Sequence, residues 1–366
     1  MIALLVWIAC AREEPAHPPD PCEIARAPAP GPLASEIARA ANNPLEIARL
    51  RIDEGHRTGD PGFYALAEQA ARCALARSPN DPEARRHLVH VAIQFHQFAS
   101  AEQDARTLAA ETDTWTDWML LGDAQMEQGK LADAGASYQR AMDQRPGLPL
   151  YDRAAWLRWL TGDVDGAVAL QERAVAAGSS VDPEPYAWVL TRLGWLHALR
   201  GEQAHEIDLA LALLPDYPPA RFARGRIRLA AGDPGAADDF RVVGRTVEAT
   251  RGLAEIDPSV SIDAVGAQDP RGYAIWLADR DPKHAVALLD EELRNRQDAV
   301  THMAHAYAVF RGGGDGAQEA RDALATGCPE PRVLLQGGLV LGDRTSIERA
   351  LATGPGLLPS ERALAR

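Results

Sequence analysis

The stretch WMLLGDAQMEQGKLADAGASYQRAMDQRP, residues 118–146, decides how this chain is read. It holds acids and amides but no histidine, no cysteine and no adjacent glycines. Its regular features are small or bulky residues at fixed places: Trp118, Leu121, Gly122, Ala134, Tyr138, Ala141 and Pro146. Two helices in close antiparallel approach leave no room for large side chains where they cross, so Gly122 and Ala134 permit contact. Tyr138 fills the space beside them, Gly129 sits at the turn, and Pro146 cannot continue a helix and redirects the chain.

The same grid recurs on both sides. Upstream, Ala67, Ala74 and Pro79 fit a first unit with an enlarged turn, and Leu88, Ala92, Ala101 and Ala105 fit a second. Downstream, Gly162, Ala167 and Ala174 mark a fourth, Leu193, Gly194, Gly201, Ala210 and Pro215 a fifth, and Gly225, Gly232 and Ala237 a sixth. After residue 252 the pattern weakens, yet GYAIWLADRDPKHAVALLDEEL and THMAHAYAVFRGGGDGAQEARDALATG still read as helix pairs. VLLQGGLVLGDRTSIERALATGP reads as a shortened terminal unit.

The quoted stretch resembles the tetratricopeptide (TPR) signature, with a period of about 34 residues and Gln125 in place of the expected aromatic. The resemblance spans residues 45–355, and the order of units is similar to that of bacterial multi-repeat TPR proteins. It implies an all-α, right-handed superhelical solenoid of eight or nine stacked antiparallel helix pairs, with about six repeats over 45–251 and degenerate repeats plus a cap over 252–366. It also implies a binding scaffold without chemistry of its own.

Composition agrees with helices. Hydrophobic residues make up 46% of the 366 residues and aromatics only 6%, so Ala and Leu do most of the filling, and both enter helices at little cost. The net charge of −14 repels phosphate backbones, so nucleic acid is not an expected partner. Four cysteines (Cys10, Cys22, Cys73, Cys328) lie far apart without a CxxC pair, which predicts neither a zinc site nor structural disulfides.

The first ten residues, MIALLVWIAC, are apolar throughout. As a helix they would span roughly 15 Å, half a bilayer core. The segment resembles a bacterial lipoprotein signal, with Ala9-Cys10 at the junction and Cys10 as the lipidated residue, although Trp7 and the lack of a basic start depart from the pattern. That resemblance implies a lipid-anchored protein of a bacterial envelope; the other location it leaves open is the cytoplasm. Seven prolines in residues 11–33 predict an extended tether over 11–44, and of three EIAR copies only the third, at 46–49, is expected in folded structure.

In stacked units of the TPR kind the first helices line a concave face. Carried onto this chain, the resemblance places Met119, Asp123, Met126 and Glu127 there from the third unit, and Asp152, Trp156 and Trp159 from the fourth. Trp188 and Trp195 follow from the fifth, Phe222 and Arg226 from the sixth, Tyr307 and Phe310 from the eighth. Trp156 and Trp159, like Trp188 and Trp195, share a helical face. One outcome is that these rings pack neighbouring helices; the other is an apolar groove for a peptide or amphipathic helix. A small apolar ligand would use the same tryptophans but needs an enclosed pocket.

Residues suited to chemistry occur only in incomplete sets. HLVH at 87–90 and HMAH at 302–305 each offer two histidines without a third ligand, and HEID at 205–208 lacks the second histidine of a zinc protease helix. GGGDG at 312–316 lacks the lysine of a phosphate loop, and GASYQ at 135–139 lacks the closing glycine of a nucleophile elbow. No metal, cofactor or catalytic residue is expected. An enzyme would require His, acid or Cys groups converging in the groove.

Overall fold

The computed structural model describes residues 20–26 and 30–366. The apolar start, Cys10 and the prolines before residue 20 lie outside the described residues. Among the described residues every element is helical. Two short helices come first, α1 (Pro21–Arg26) and α2 (Ala34–Arg39). Six antiparallel pairs follow: α3 (Pro44–Thr58) with α4 (Pro61–Arg77), α5 (Pro82–Gln94) with α6 (Phe98–Thr112), α7 (Trp115–Glu127) with α8 (Leu131–Gln144), α9 (Leu148–Leu160) with α10 (Val164–Ala176), α11 (Pro183–Leu199) with α12 (His205–Leu213), and α13 (Pro218–Ala230) with α14 (Ala236–Val243). The unpaired α15 (Val247–Ala254) and a 3-10 turn at Gly266–Gln268 interrupt the series. Three further pairs complete it: α16 (Pro270–Leu277) with α17 (Pro282–Glu292), α18 (Ala299–Arg311) with α19 (Ala317–Ala325), and α20 (Pro331–Leu341) with α21 (Arg344–Leu351). A 3-10 turn at Gly354–Gly356 and α22 (Pro359–Ala363) close the chain.

The starts of these helices follow from local chemistry. Asn43, Asp81, Asp163 and Asp281 each accept a hydrogen bond from a backbone N–H of the first turn, where helices leave such donors unpaired. Proline stands in the first turn of α3, α5, α11, α13 and α20, where its missing N–H costs nothing. Within pairs the expected crossing is present. A Cβ on Gly122 would lie 2.4 Å from the Tyr138 ring, and one on Gly225 would lie 2.8 Å from Phe240. Ala134, Tyr138 and Ala141 are buried opposite.

Two expectations are corrected at the N-terminal end. Cys22 and Cys73 form a disulfide despite a separation of 51 residues, because α1 packs on α4 and brings them together; sequence distance adds to the closure cost only slowly. The described part of the expected tether carries two short helices, and the first two EIAR copies lie in α1 and α2, with Ala25 and Ile37 buried. A buried acid accounts for part of this docking. Glu54 on α3 is fully buried, pairs with Arg51 at 2.6 Å, and accepts a further bond at 3.0 Å from the backbone N–H of Leu33.

The array also turns back on itself. The turn of the α7/α8 pair meets the loop before α18, where the backbone N–H of Gln297 donates to the carbonyl of Glu127 at 3.2 Å. A Cβ on Gly129, whose φ is 69°, would lie 2.3 Å from the Gln297 carbonyl oxygen. One on Gly162, at φ 84°, would lie 2.7 Å from that of Gly327. Both glycines therefore permit a left-handed turn and a backbone-to-backbone approach at once.

Further along, ionic contacts bind the last helix to the middle of the chain. Arg251 and Arg332 reach Glu361 at 2.6 and 2.9 Å, and Arg226 donates to the carbonyl of Pro355 at 2.9 Å. The C-terminal pairs thus form a roof over part of the inner face of the first six.

Candidate functional site: an inner trough and a roofed cleft

Two connected depressions lie along the inner face. The first is a trough of about 680 Å³ lined by Met119, Asp123, Met126, Glu127, Asp152, Trp156 and Trp188, with His56 and Tyr64 at its N-terminal end. The second, of about 430 Å³, is lined by Trp156, Trp159, Trp188, Trp195, Phe222 and Arg226 on one side and by Glu248, Arg271, Glu330, Arg332 and Gly356 on the other. They share Trp156, Trp188, Arg192 and Pro219. All four central tryptophans therefore meet at one place, on α9 and α11, as the helical spacing predicts.

Their surroundings differ. Trp156, Trp188 and Trp195 are half-buried, whereas Trp159 is only 4% exposed and its indole N–H has no hydrogen-bond partner. The Trp188 N–H donates to Asp152 at 3.0 Å. Asp152 also accepts from Gln171 at 3.0 Å and pairs with Arg192 at 3.2 Å. The Arg192 guanidinium lies 4.4 Å from the centre of Trp156 and 5.5 Å from that of Trp188, in cation–π range of both. Asp123 accepts from Arg153 at 2.7 Å and from the Tyr138 hydroxyl at 2.8 Å. These acids are thus engaged in building the trough wall. Met126 is buried and its sulfur lies 3.8 Å from the Tyr138 hydroxyl.

Arg226 is 5% exposed, so it is a wall of the cleft and not the accessible groove residue that its sequence position implies. Burial lowers its pKa from the ordinary arginine value, yet a guanidinium remains charged. Tyr307 is a correction of the same kind: it is 1% exposed in the core of the later pairs, and its hydroxyl donates to Asp279 at 2.7 Å. Phe310 is 40% exposed and lines neither depression. The inner face of the later pairs is a separate hollow of about 370 Å³ beside Trp276 and Glu361. Extending the register of the first six pairs past the break at α15 therefore misplaces both residues.

Sequence inspection missed the roof. Glu248, Arg271, Glu330 and Arg332 belong to later units, and nothing in the spacing places them across from Trp195 and Phe222. It also missed the contact between His56 and His90, whose Nε2 atoms lie 3.2 Å apart. Burial holds His56 down at about 4 and His90 well below the ordinary histidine value. Among the described residues no group of three or more His, Cys, Asp or Glu side chains is placed to hold a metal ion. No helix among them is long and apolar enough to cross a membrane.

Several two-helix units carry a glycine against the facing helix, at Gly122, Gly194 and Gly225, and first helices supply most of the lining of the trough. The described residues have a TPR-like fold of stacked two-helix units. No family model matches it, and no curated protein matches it. Solved structures similar to it include TTC0263, a thermophilic TPR protein of Thermus thermophilus, at 21% identity over 49% of this chain and 94% of that one, with TM-score 0.40. The Cut9–Hcn1 hetero-tetramer of the APC/C matches at 13% identity over 89% of this chain and 62% of that one, with TM-score 0.48. Yeast Tom70 matches at 12% identity over 90% and 92%, with TM-score 0.39. The TPR-like fold follows from the hairpin geometry alone.

Proposed function

We propose that this TPR array is a non-enzymatic scaffold that takes a peptide or an amphipathic helix of a protein partner in the inner trough. The observation that carries this reading is the trough of about 680 Å³ on consecutive first helices, where Met119, Trp156 and Trp188 remain partly accessible between ion-paired walls. Apolar side chains between polar rims suit an apolar helix face or alternate side chains of an extended segment. Methionine adapts to different partners, and tryptophan supplies large contact area.

The test is selection of binders from a random peptide library, followed by titration of the best peptide against variants. Trp156→Ala is expected to weaken binding by roughly 2 kcal/mol, as a buried aromatic anchor does. Unchanged affinity in a folded Trp156→Ala/Met119→Glu protein removes the trough from consideration.

The second part of the proposal is location: Cys10 carries a lipid that tethers the array to a bacterial envelope membrane. The Cys22–Cys73 disulfide supports a site outside the cytoplasm, since such bonds persist in oxidising compartments. Incorporation of a labelled fatty acid, lost in Cys10→Ala, tests the anchor; equal labelling of both proteins refutes it.

A further inference from the structure

The hollow beside Trp276, of about 370 Å³, shares only Arg332 with the cleft and no residue with the trough. One of its walls is α20. Of the 11 residues of that helix only Arg332 and Gln336 are polar; four positions apart, they share a helical face, and both line the hollow. The charge of Arg332 is used by Glu248 and Glu361. The polarity of Gln336 has no such use. Its side chain is 6% exposed and has no hydrogen-bond partner among the described residues, yet its amide atoms are not sealed off. The surface they keep opens on the hollow that Gln336 lines. An unpaired amide at such depth costs stability that an apolar side chain would not, so its presence calls for a partner.

The charged lining around Gln336 is balanced: Arg251, Arg280 and Arg332 against Glu255, Asp279 and Glu361. Arg251 and Arg332 bond to Glu361, Asp279 pairs with Arg311 at 3.0 Å, and Glu255 accepts from the Ser360 backbone N–H at 3.1 Å. Arg280 lies 4.4 Å from the centre of the Trp276 ring and donates to the Trp276 carbonyl. A charged ligand would meet both signs there, and its desolvation would go uncompensated. Ile262, Ile275, Leu335 and Leu358 supply apolar wall. A hollow of about 370 Å³ lies in the range that holds a single small molecule.

We propose that this hollow is a binding site for a small neutral primary carboxamide or lactam, its amide edge paired with Gln336 and its apolar body against Ile275, Leu335 and Leu358. A glutamine side chain carries an N–H donor beside a carbonyl acceptor, and a ligand with C=O and N–H on one edge answers both at once. Primary carboxamides and lactams have that edge. A trans peptide bond points its N–H and C=O in opposite directions, which disfavours a peptide backbone in this place. A ketone meets only the donor, and a carboxylate sets an acceptor against the Gln336 carbonyl. The site is distinct from peptide binding in the trough and does not depend on it.

The probe is benzamide, titrated against the full chain by ligand-observed NMR and compared with N-methylbenzamide, acetophenone and benzoate. Benzamide is expected to saturate a site in the low-millimolar range, as a fragment of its size allows. It should bind at least about fivefold more tightly than each of the other ligands, since each leaves part of the Gln336 amide unpaired. Gln336→Met keeps the length and bulk of the side chain and removes both polar atoms. It is expected to lower benzamide affinity to that of acetophenone while acetophenone changes by no more than about twofold. Should that variant not fold, the ligand comparison on the unaltered chain decides. Met119→Glu, in the trough, is expected to leave benzamide binding unchanged while abolishing peptide binding, so each proposal fails separately. Binding that does not saturate by about 20 mM benzamide, benzamide no tighter than N-methylbenzamide or acetophenone, benzoate as tight as benzamide, or undiminished affinity in a folded Gln336→Met protein overturns the proposal.

Discussion

At Gly122 the space for a Cβ is already taken by the Tyr138 ring, and at Ala134 the exposed fraction is zero. Gly122→Ala gains helix propensity but must displace an aromatic ring whose hydroxyl is held by Asp123. Ala134→Leu forces extra methyl groups into the same crossing. Each is expected to cost about 1–3 kcal/mol, measured as a lower urea midpoint with unchanged slope. An unchanged midpoint for both means the α7/α8 crossing has slack that the packing does not show. The same residues explain what was readable in the sequence. Gly122, Ala134 and Tyr138 are specified by their near neighbours along the chain, so their roles follow from spacing. Trp159 and Arg226 lie on the expected face but deeper than spacing implies, because Trp159 packs in a cluster with Cys328 and Arg226 bonds to Pro355, both more than a hundred positions away.

Among the elements, the α1–α4 contact and the α3–α5 contact each lead to a measurement. The Cys22–Cys73 bond closes a loop of 51 residues, and its removal in Cys22→Ser is expected to cost about 2–4 kcal/mol. The loss should appear as faster amide exchange in α3 and α4, leaving α18 to α21 unaffected. Exchange that rises everywhere, or nowhere, contradicts a local staple. The three histidines His56, His87 and His90 give a pH dependence of defined sign. Burial depresses His56 and His87 to about 4 and holds His90 well below the ordinary value; Arg153 adds to this at His56, His56 and Arg153 at His90, and Arg49 and Arg86 at His87. Asp81 and Glu46 partly oppose it at His87. The unfolded chain therefore binds more protons below the ordinary histidine value of 6.5, and stability falls as pH drops from there toward 4. Melts between pH 7 and pH 4.5 are expected to show this loss first in α3 to α6, and a His90→Gln variant should show a shallower slope. A slope equal to wild type places the protonation cost elsewhere. Hairpins as such were legible from the small-residue grid; α1 and α2 were not, since prolines and the lack of a repeat match obscured helices that fold only by docking on Glu54 and Cys73.

For the molecule as a whole, nearest-neighbour stacking does not describe the stability, because the last helix bonds to the middle of the array. Glu361 is nearly fully buried and receives Arg251, Arg332 and the backbone N–H of Leu358. Those partners hold its carboxyl well below the ordinary range, with the Arg332 and Arg251 charges outweighing the desolvation that acts to raise it. Its contribution is therefore fully present above that range and is lost progressively as pH falls from there toward the depressed folded value. Glu361→Ala leaves two buried guanidiniums with reduced compensation, and a broken buried pair costs about 3–5 kcal/mol. The consequence should travel. With Arg332 and the Gly354–Gly356 turn released, the roof over Trp195 loosens, while α3 to α8 keep their own packing. Acrylamide should then quench tryptophan emission more efficiently, and amide exchange should rise in α11, α13 and α20 but not in α5 or α7. A plain linear stack predicts a different result, with change confined to α20 to α22. If α11 and α13 keep wild-type protection in Glu361→Ala, the roof does not hold the cleft closed.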